Sequence, residues 1–324
     1  MARTSANRTL ESGEFQTLPE VIEWYGVDWR RVARAVYRVR QHYRYTYTGP
    51  VHDLKQQLIV IPPLHHSDQH LLGRDLRVRG TGGKHTLRWD TDRFGNRVCR
   101  VYADRVEHAV DFEALFDVER LTHDPAPVIS RRLADPRLLA AYRQPTALTA
   151  PDARLQAAAD AIASETTDPH GRAERALDWA ADAITYEFGI TGVRTPAAMA
   201  LHLGKGVCQD YAHIMLCLLR LLGIPARYVS GHLLGEGVAH AWVEALFDDP
   251  LAPGGVAVIA YDPTHHRRAG LNYITVAVGR DYADVTPTSG YFSGAATGRL
   301  SASKQADIVE IEYSATSAVD EGAA

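Results

Sequence analysis

The sequence predicts an α+β domain built on an antiparallel sheet and preceded by an all-β domain. Three observations carry that prediction. From about Ala33 to Val118, short alternating runs are separated by turns rich in Gly, Pro and Asp. After Pro145 alanine-rich segments with helical spacing take over. Beyond residue 225 strand-like runs return, and helices followed by strands favour an antiparallel sheet over a doubly wound one.

Taken in order, residues 1–32 read as a flexible N-terminal extension. Residues 33–145 form the β-rich unit, with strands expected in "YRVRQHYRYTYTG", "QQLIVIPP", "DLRVRG", "HTLRWD" and "RVCRVYA". Residues 146–313 form the second domain. It opens on helices in "PDARLQAAADAIASE" and "PHGRAERALDWAADAITYEF", then a short helix near Pro196 to His202 that Thr195 is expected to cap. A helix starting near Cys208 follows, then strands in "ARYVSGHLL", "AHAWVEALF", "VAVIAYD", "NYITVAVG" and "DIVEIEY". The small polar residues 314–324 are expected to be disordered.

Composition narrows the function. The 324 residues hold 35 Lys and Arg against 39 Asp and Glu, a net charge of −4, so nucleic acid and anionic membranes are not the expected partners. The first residues lack the apolar run of a secretory signal, and the most apolar stretch, Ile214 to Ile224, is broken by Arg220 and is too short to span a bilayer. Three cysteines, Cys99, Cys208 and Cys217, are too few for a disulfide framework, which makes a reducing cytoplasm the expected compartment. The oligomeric state is left open.

Cys208 is the first residue with chemistry to explain. In "GKGVCQDYAHIMLCLLRLLGIPARY" apolar residues cover nearly every face of the coming helix, so it should be central and buried. Its start is polar, and a cysteine there meets unpaired N–H groups and the positive end of the helix dipole. Asp210 opposes this unless it is engaged at the helix start. Cys217, nine residues on, points about 180° away and serves as a small core residue.

A thiolate nucleophile needs an imidazole and a third group to orient it. His240 lies in an alternating run with Trp242, Glu244 and Leu246 on its face. Asp262 ends the next strand and can reach a neighbour. Each has an ordinary alternative, a satisfied core histidine and a turn-opening Asp-Pro. Together, cysteine at a helix start, histidine in a strand and aspartate at a strand end are a stronger signal.

These segments, "GVCQDYAHIMLCLLRLLGIPARYVSGHL", "AHAWVEALF" and "AYDPT", resemble the three catalytic segments of the bacterial transglutaminase-like family, whose core is shared with papain-like cysteine proteases. "YRVRQHYRYTYTGPVHDLKQQLIVIPP" resembles the β-rich N-terminal domain often attached to it, and "VAVGRDYADVTPTSGYFSG" the segment after the aspartate. The resemblance spans roughly 33 to 313. It implies a papain-like core with Cys208 as nucleophile, His240 as general base and acid, and Asp262 orienting His240. The chain departs from the family after Asp262-Pro263-Thr264, where His265, His266, Arg267 and Arg268 stand in place of the commoner asparagine and could alter the cleft rim. The short "GHLLGEGVAHAW" connection should leave little covering the histidine.

An oxyanion needs preorganised donors. The Cys208 backbone N–H is one; Tyr186 and His202 are candidates for the other, with core packing and a solvent-facing helix position as their ordinary readings. The pairs His65-His66 and His265-His266 lack the spacing of a zinc site and read as solvated loop residues. Tyr43, Tyr45 and Tyr47 read as a packed sheet face, and Leu177 and Trp179 as core. The expected activity is cysteine-dependent acyl transfer on a peptide or protein carbonyl through a thioester, with water as acceptor. An amine co-substrate, giving cross-linking, and a non-catalytic peptide-binding module are the alternatives. No organic cofactor or metal is implied, and no phosphate-holding loop for coenzyme A is found.

Overall fold

The computed structural model describes residues 22–122, 128–130, 133, 135–248 and 255–314. The chain begins with β1 (Val32–Tyr47), β2 (Val51–Leu58), β3 (His65–His66), β4 (Gln69–Arg79), β5 (His85–Thr91), β6 (Arg97–Val106) and β7 (Ala109–Leu121). Next come β8 (Val128–Ser130), α1 (Pro136–Arg143), α2 (Ala153–Glu165), α3 (Pro169–Asp182), β9 (Thr185–Tyr186), α4 (Ala197–Leu203), β10 (Lys205–Gly206) and α5 (Cys208–Leu221). The chain closes with β11 (Ala226–Leu233), β12 (His240–Asp248), β13 (Val256–Asp262), β14 (Arg267–Arg268), β15 (Tyr273–Gly279), β16 (Thr288–Ser293) and β17 (Gly298–Tyr313).

Alternation in the first unit produces two facing sheets, ordered β17-β1-β7-β4-β3 and β16-β2-β6-β5. Their inward residues, among them Val39, Tyr43, Leu54, Val101, Phe112 and Phe116, fill one core. The expected strand at 56–63 lies earlier: Ile59, Val60 and Ile61 leave β2 as a buried connection, with the Ile59 N–H bonded to the Pro287 carbonyl at 2.9 Å.

Two domain limits need correction. The second domain does not run to 313 as a sheet unit, because β16 pairs with β2 and β17 pairs with β1 from Tyr47↔Gly298 to Val32↔Tyr313. The chain thus returns to close the edges of the first sandwich, and an unpaired β1 would leave an exposed edge. Residues 22–31 are no free extension either: the Ile22 N–H donates to the Ile308 carbonyl at 3.1 Å, and Trp24 packs on Gly235, where an added Cβ would lie 2.6 Å from its ring. The remainder of the expected extension, 1–21, and the expected tail from 315 on lie outside the described residues.

The second domain packs helices on a sheet ordered β14-β13-β12-β11-β15, with β8 added beside β13 and every pairing antiparallel. Aspartates cap the first two long helices: Asp152 accepts from the Leu155 N–H at 2.8 Å and Asp168 from the Gly171 N–H at 2.7 Å, with Pro169 in the first turn. Thr195 does not cap α4; its hydroxyl accepts from the Gly192 N–H, and the helix starts after Pro196. Helix α5 is buried from Gln209 to Arg220 and lies between α2, α3 and α4 and the face of β12 that carries Ala241, Val243, Ala245 and Phe247. Arg220 pins its last turn by donating to the carbonyls of Tyr142 (3.0 Å) and Ala226 (3.3 Å). Among the described residues no helix is long and apolar enough to cross a membrane.

The free edge of β15 meets the sandwich through two amide side chains that act as short strand substitutes. Gln69 donates to the Thr275 carbonyl and accepts from its N–H, both at 2.8 Å. Asn96 does the same for Val278 at 2.7 and 2.8 Å. Buried backbone groups left unpaired each cost about 1–3 kcal/mol. Asn96→Ala is therefore expected to lower stability by about 2–4 kcal/mol in denaturant unfolding, and an unchanged midpoint would show that this edge does not depend on Asn96.

Candidate active site

The glycines before Cys208 have separate uses. Gly204 ends α4 in the left-handed region at φ +66. Gly206 makes room for Asp210, whose Oδ2 would lie 2.7 Å from an added Cβ. Asp210 folds back to accept from the Val207 N–H at 2.8 Å and the Thr191 hydroxyl at 2.6 Å, and burial pushes its carboxyl up from the usual range. It is thus engaged at the helix start, as the dipole reading of Cys208 requires. Cys208 opens α5, half-buried, where the helix leaves its first amides unpaired. Burial pushes the other two thiols up, Cys99 to about 11 and Cys217 to about 12.

His240 begins β12, buried at 3 % exposure, opposite Gly231 of β11. Its Nε2 lies 2.8 Å from Asp262 Oδ2, and Cys208 is close enough to act on the ring's charge. With Nε2 taken by the carboxylate, Nδ1 is the ring nitrogen left for a further partner, and Glu236 Oε2 lies 3.3 Å from it. The ring is flanked by Trp242, stacked at 6.2 Å, and Tyr273 at 6.0 Å. Gly231 permits this packing, since a Cβ there would sit 2.5 Å from the Trp242 ring and 2.1 Å from the Ile274 carbonyl oxygen. Burial alone would lower the imidazole pKa, but hydrogen bonds and charge from Asp262 and Cys208 raise it to about 10.

Asp262 is fully buried and fully used. Oδ2 takes His240 Nε2, His265 Nδ1 at 2.8 Å and the Tyr273 hydroxyl at 2.6 Å; Oδ1 takes the backbone N–H groups of Thr264 (3.0 Å) and His265 (3.3 Å). Burial pushes the carboxyl up, yet these donors hold it well below the usual carboxylate range. Tyr273 accepts in turn from Arg267 Nε at 2.9 Å.

The departures seen in the sequence therefore take on different roles. His265 and Arg267 are partners of the Asp262 network rather than cleft rim, His266 lies 2.8 Å from Asp178, and Arg268 pairs with Glu174. The histidine is not left uncovered: Glu236, in the connection between β11 and β12, places Oε2 3.3 Å from His240 Nδ1 and Oε1 3.4 Å from His265 Nε2. His66 is no solvated loop residue; it is buried against Glu244 at 2.9 Å because β12 carries that carboxylate inward. Tyr43 and Tyr47 are buried in the sandwich core, Leu177 in the helical core with Trp179 packed against it.

Of the two oxyanion candidates, Tyr186 stands 43 % exposed in β9, its hydroxyl pushed up to about 12 by burial and by the charges of Cys208 and Glu236, so it keeps a proton to donate. His202 is exposed in the last turn of α4 and makes no hydrogen bond or ion pair with Cys208, His240 or Asp262. Tyr273 and Glu236 are the neighbours that sequence reasoning missed, and His265, noted there as cleft rim, is the one it misplaced. Of the two missed, Tyr273 carried a signal, a polar hydroxyl on an otherwise apolar strand that must find a partner.

Two outcomes are expected. The His240 pKa is raised above its unfolded value near 6.5, so its pairing contributes stability in full below about pH 6.5 and loses it as pH rises through about 10. Nitrogen-15 NMR of the ring should show imidazolium through pH 8, and Asp262→Ala should bring the titration down; a ring neutral at pH 7.5 in the unaltered chain contradicts the assignment. Gly231→Ala should cost about 1–3 kcal/mol by overpacking and lower Cys208 alkylation at neutral pH, whereas unchanged alkylation would detach Trp242 packing from the site.

Comparison with known proteins agrees with this architecture. Residues 156–253 match the Transglutaminase-like superfamily and residues 37–119 the Bacterial transglutaminase-like N-terminal region. The first match contains Cys208 and His240 and ends before Asp262. An uncharacterized protein of Mycobacterium leprae is 42% identical over 161 residues, 47% of this chain and 54% of that protein. One of Mycobacterium tuberculosis (strain H37Rv) is 37% identical over 117 residues, 33% of this chain and 37% of that protein. The chain thus spans about half the length of the first relative and a little over a third of the second. Among solved structures, a candidate cysteine protease from Cytophaga hutchinsonii shares the fold with a TM-score of 0.66 at 20% identity, covering 87% of this chain and 93% of that one.

Proposed function

We propose that this chain, with its transglutaminase-like core behind a β-rich N-terminal region, is a cysteine-dependent acyl-transfer enzyme that acts on a peptide or protein carbonyl and passes the acyl group to water. The observation that carries the proposal is the buried Asp262–His240 pair at 2.8 Å, with Cys208 at a helix start and near enough to raise the imidazole pKa. The larger influence on the sulfur is the imidazolium: at 4 Å and an effective dielectric of 20 it is worth about 4 kcal/mol, against about 0.3–1 kcal/mol from a helix terminus.

The chemistry follows from the placement. The Cys208 thiolate attacks the carbonyl carbon, and its oxygen gains a negative charge that the Cys208 amide and the Tyr186 hydroxyl would stabilise. Collapse breaks the carbon–nitrogen bond while His240 gives its proton to the departing amine, leaving a thioester on sulfur. Neutral His240 then takes a proton from water, hydroxide adds to the thioester, and release of the acid restores the ion pair. Asp262 keeps the ring in the tautomer that each step needs. We also propose a reducing compartment, supported by three cysteines that all remain unpaired.

An electrophilic peptide probe should form one adduct, at Cys208, and Cys208→Ala should abolish it while the melting temperature stays nearly constant. Adducts persisting at Cys99 or Cys217 would count against the reading. His240→Ala should reduce turnover by about a thousand-fold or more, and Asp262→Ala by less. Peptide libraries assayed with and without a primary amine separate the acceptors: products that form only with the amine would replace hydrolysis by cross-linking.

A further inference from the structure

We propose that Glu236 is a gate residue acting through His240: in the resting chain its carboxylate holds the Nδ1 side of the ring, and it must turn away before the imidazole can hand a proton to a departing amine. The inference rests on the acyl-transfer reading above, while the contact itself stands on geometry alone.

Both ring nitrogens of His240 face carboxylates. Nε2 lies 2.8 Å from Oδ2 of the fully buried Asp262, so that side is fixed. Nδ1 lies 3.3 Å from Glu236 Oε2. Any proton that His240 delivers therefore leaves through Nδ1, whatever group receives it. The second Glu236 oxygen, Oε1, lies 3.4 Å from His265 Nε2, and His265 Nδ1 is in turn 2.8 Å from Asp262 Oδ2. One carboxylate thus bridges two rings that are both set by another, and His265 is the post that keeps Glu236 opposite His240.

A carboxylate is a stronger acceptor for an imidazole N–H than the neutral nitrogen of a departing amine, because its charge strengthens the hydrogen bond. While Glu236 stays in place, the proton is directed at a group that takes no part in the reaction. The raised His240 pKa, about 10, means that at neutral pH there is a proton on Nδ1 to hold. The two carboxylates differ in how firmly they are placed. Asp262 accepts from five donors in full burial, whereas the Glu236 side chain is 30% exposed and its two ring contacts are the ion pairs it makes among the described residues. Its backbone is held: the Glu236 N–H donates to the Leu233 carbonyl at 3.1 Å, and Gly235, at φ +87, has the Trp24 ring against it. Release therefore takes a side-chain rotation and no loop movement, which is fast for a partly exposed residue. A carboxylate that only steadied the ring would act in the opposite sense, since its loss would slow the reaction.

Nitrogen-15 NMR of the full chain reads the contact: Glu236→Gln should shift the His240 Nδ1 resonance and leave Nε2, on the Asp262 side, in place. An unmoved Nδ1 overturns the gate. Turnover reads the consequence, with one peptide from the library above made as a p-nitroanilide and as a p-nitrophenyl ester, on samples whose circular dichroism shows folded chain. The anilide needs a proton on its leaving nitrogen and the ester does not. Glu236→Gln and Glu236→Ala should each raise kcat/KM for the anilide by about five-fold, the upper end for a partly exposed ion pair, with the ester value nearly constant. Equal or slower anilide turnover in both variants overturns the gate and leaves the enzyme reading standing. Equal gains on both compounds also overturn it, because Glu236 would then only obstruct the cleft. An unaltered chain that turns over neither compound removes the enzyme reading and the gate with it, even where Nδ1 shifts.

Discussion

A carboxylate with no access to water, Asp262, is the constraint around which the second domain is arranged. Removing such a charge from solvent costs several kcal/mol unless donors replace the lost water. Those donors come from three places: His240 at the start of β12, the turn after β13, and Tyr273 at the start of β15. Satisfying one side chain therefore ties strand order, strand register and turn geometry together. A sheet slipped by one residue would point His240 to the opposite face and leave the carboxylate unpaired.

The same constraint gives the sandwich a part in shaping the site. Tyr273 belongs to the edge strand of the sheet that carries the site, and an edge strand is held only as well as its outer partners hold it. Gln69 and Asn96 replace the missing neighbour with side-chain amides, while Tyr37 donates to the Leu271 carbonyl at 2.7 Å just before the strand begins. Leu234, Ile274 and Val276 share the core of the sandwich. The β-rich unit thus sets where Tyr273 lies, and through it the orientation of Asp262. This is positioning through a packed and hydrogen-bonded chain, without any direct contact between the sandwich sheets and Asp262 among the described hydrogen bonds.

Electrostatics around the sulfur are uneven by construction. His240 is raised to about 10, while His213, also buried and on the same helix as Cys208, is lowered to about 3. Both lose water; only His240 gains a buried carboxylate. His213 meets a backbone N–H of Tyr282 at 3.2 Å, which favours the neutral ring. Burial thus acts in the same direction on both, and the partner decides the outcome.

Much of this could be read from the chain before any fold was known. The two alanine-rich helices, the apolar encirclement of α5, the face shared by His240 and Trp242, and the placement of Cys208 at a helix start, His240 in a strand and Asp262 at a strand end all follow from local pattern, because periodicity acts over a few residues. The return of β17 to β1, the burial of His66 on Glu244, and the gathering of Glu236, His265 and Tyr273 around one site do not. Each joins segments far apart in sequence or on different strands, where the partner is selected by sheet order and by the need to satisfy buried polar groups. Local sequence determined which residues were available at each element's end, and only tertiary packing, which must leave no charge or strand edge unpaired, decided which of them meet.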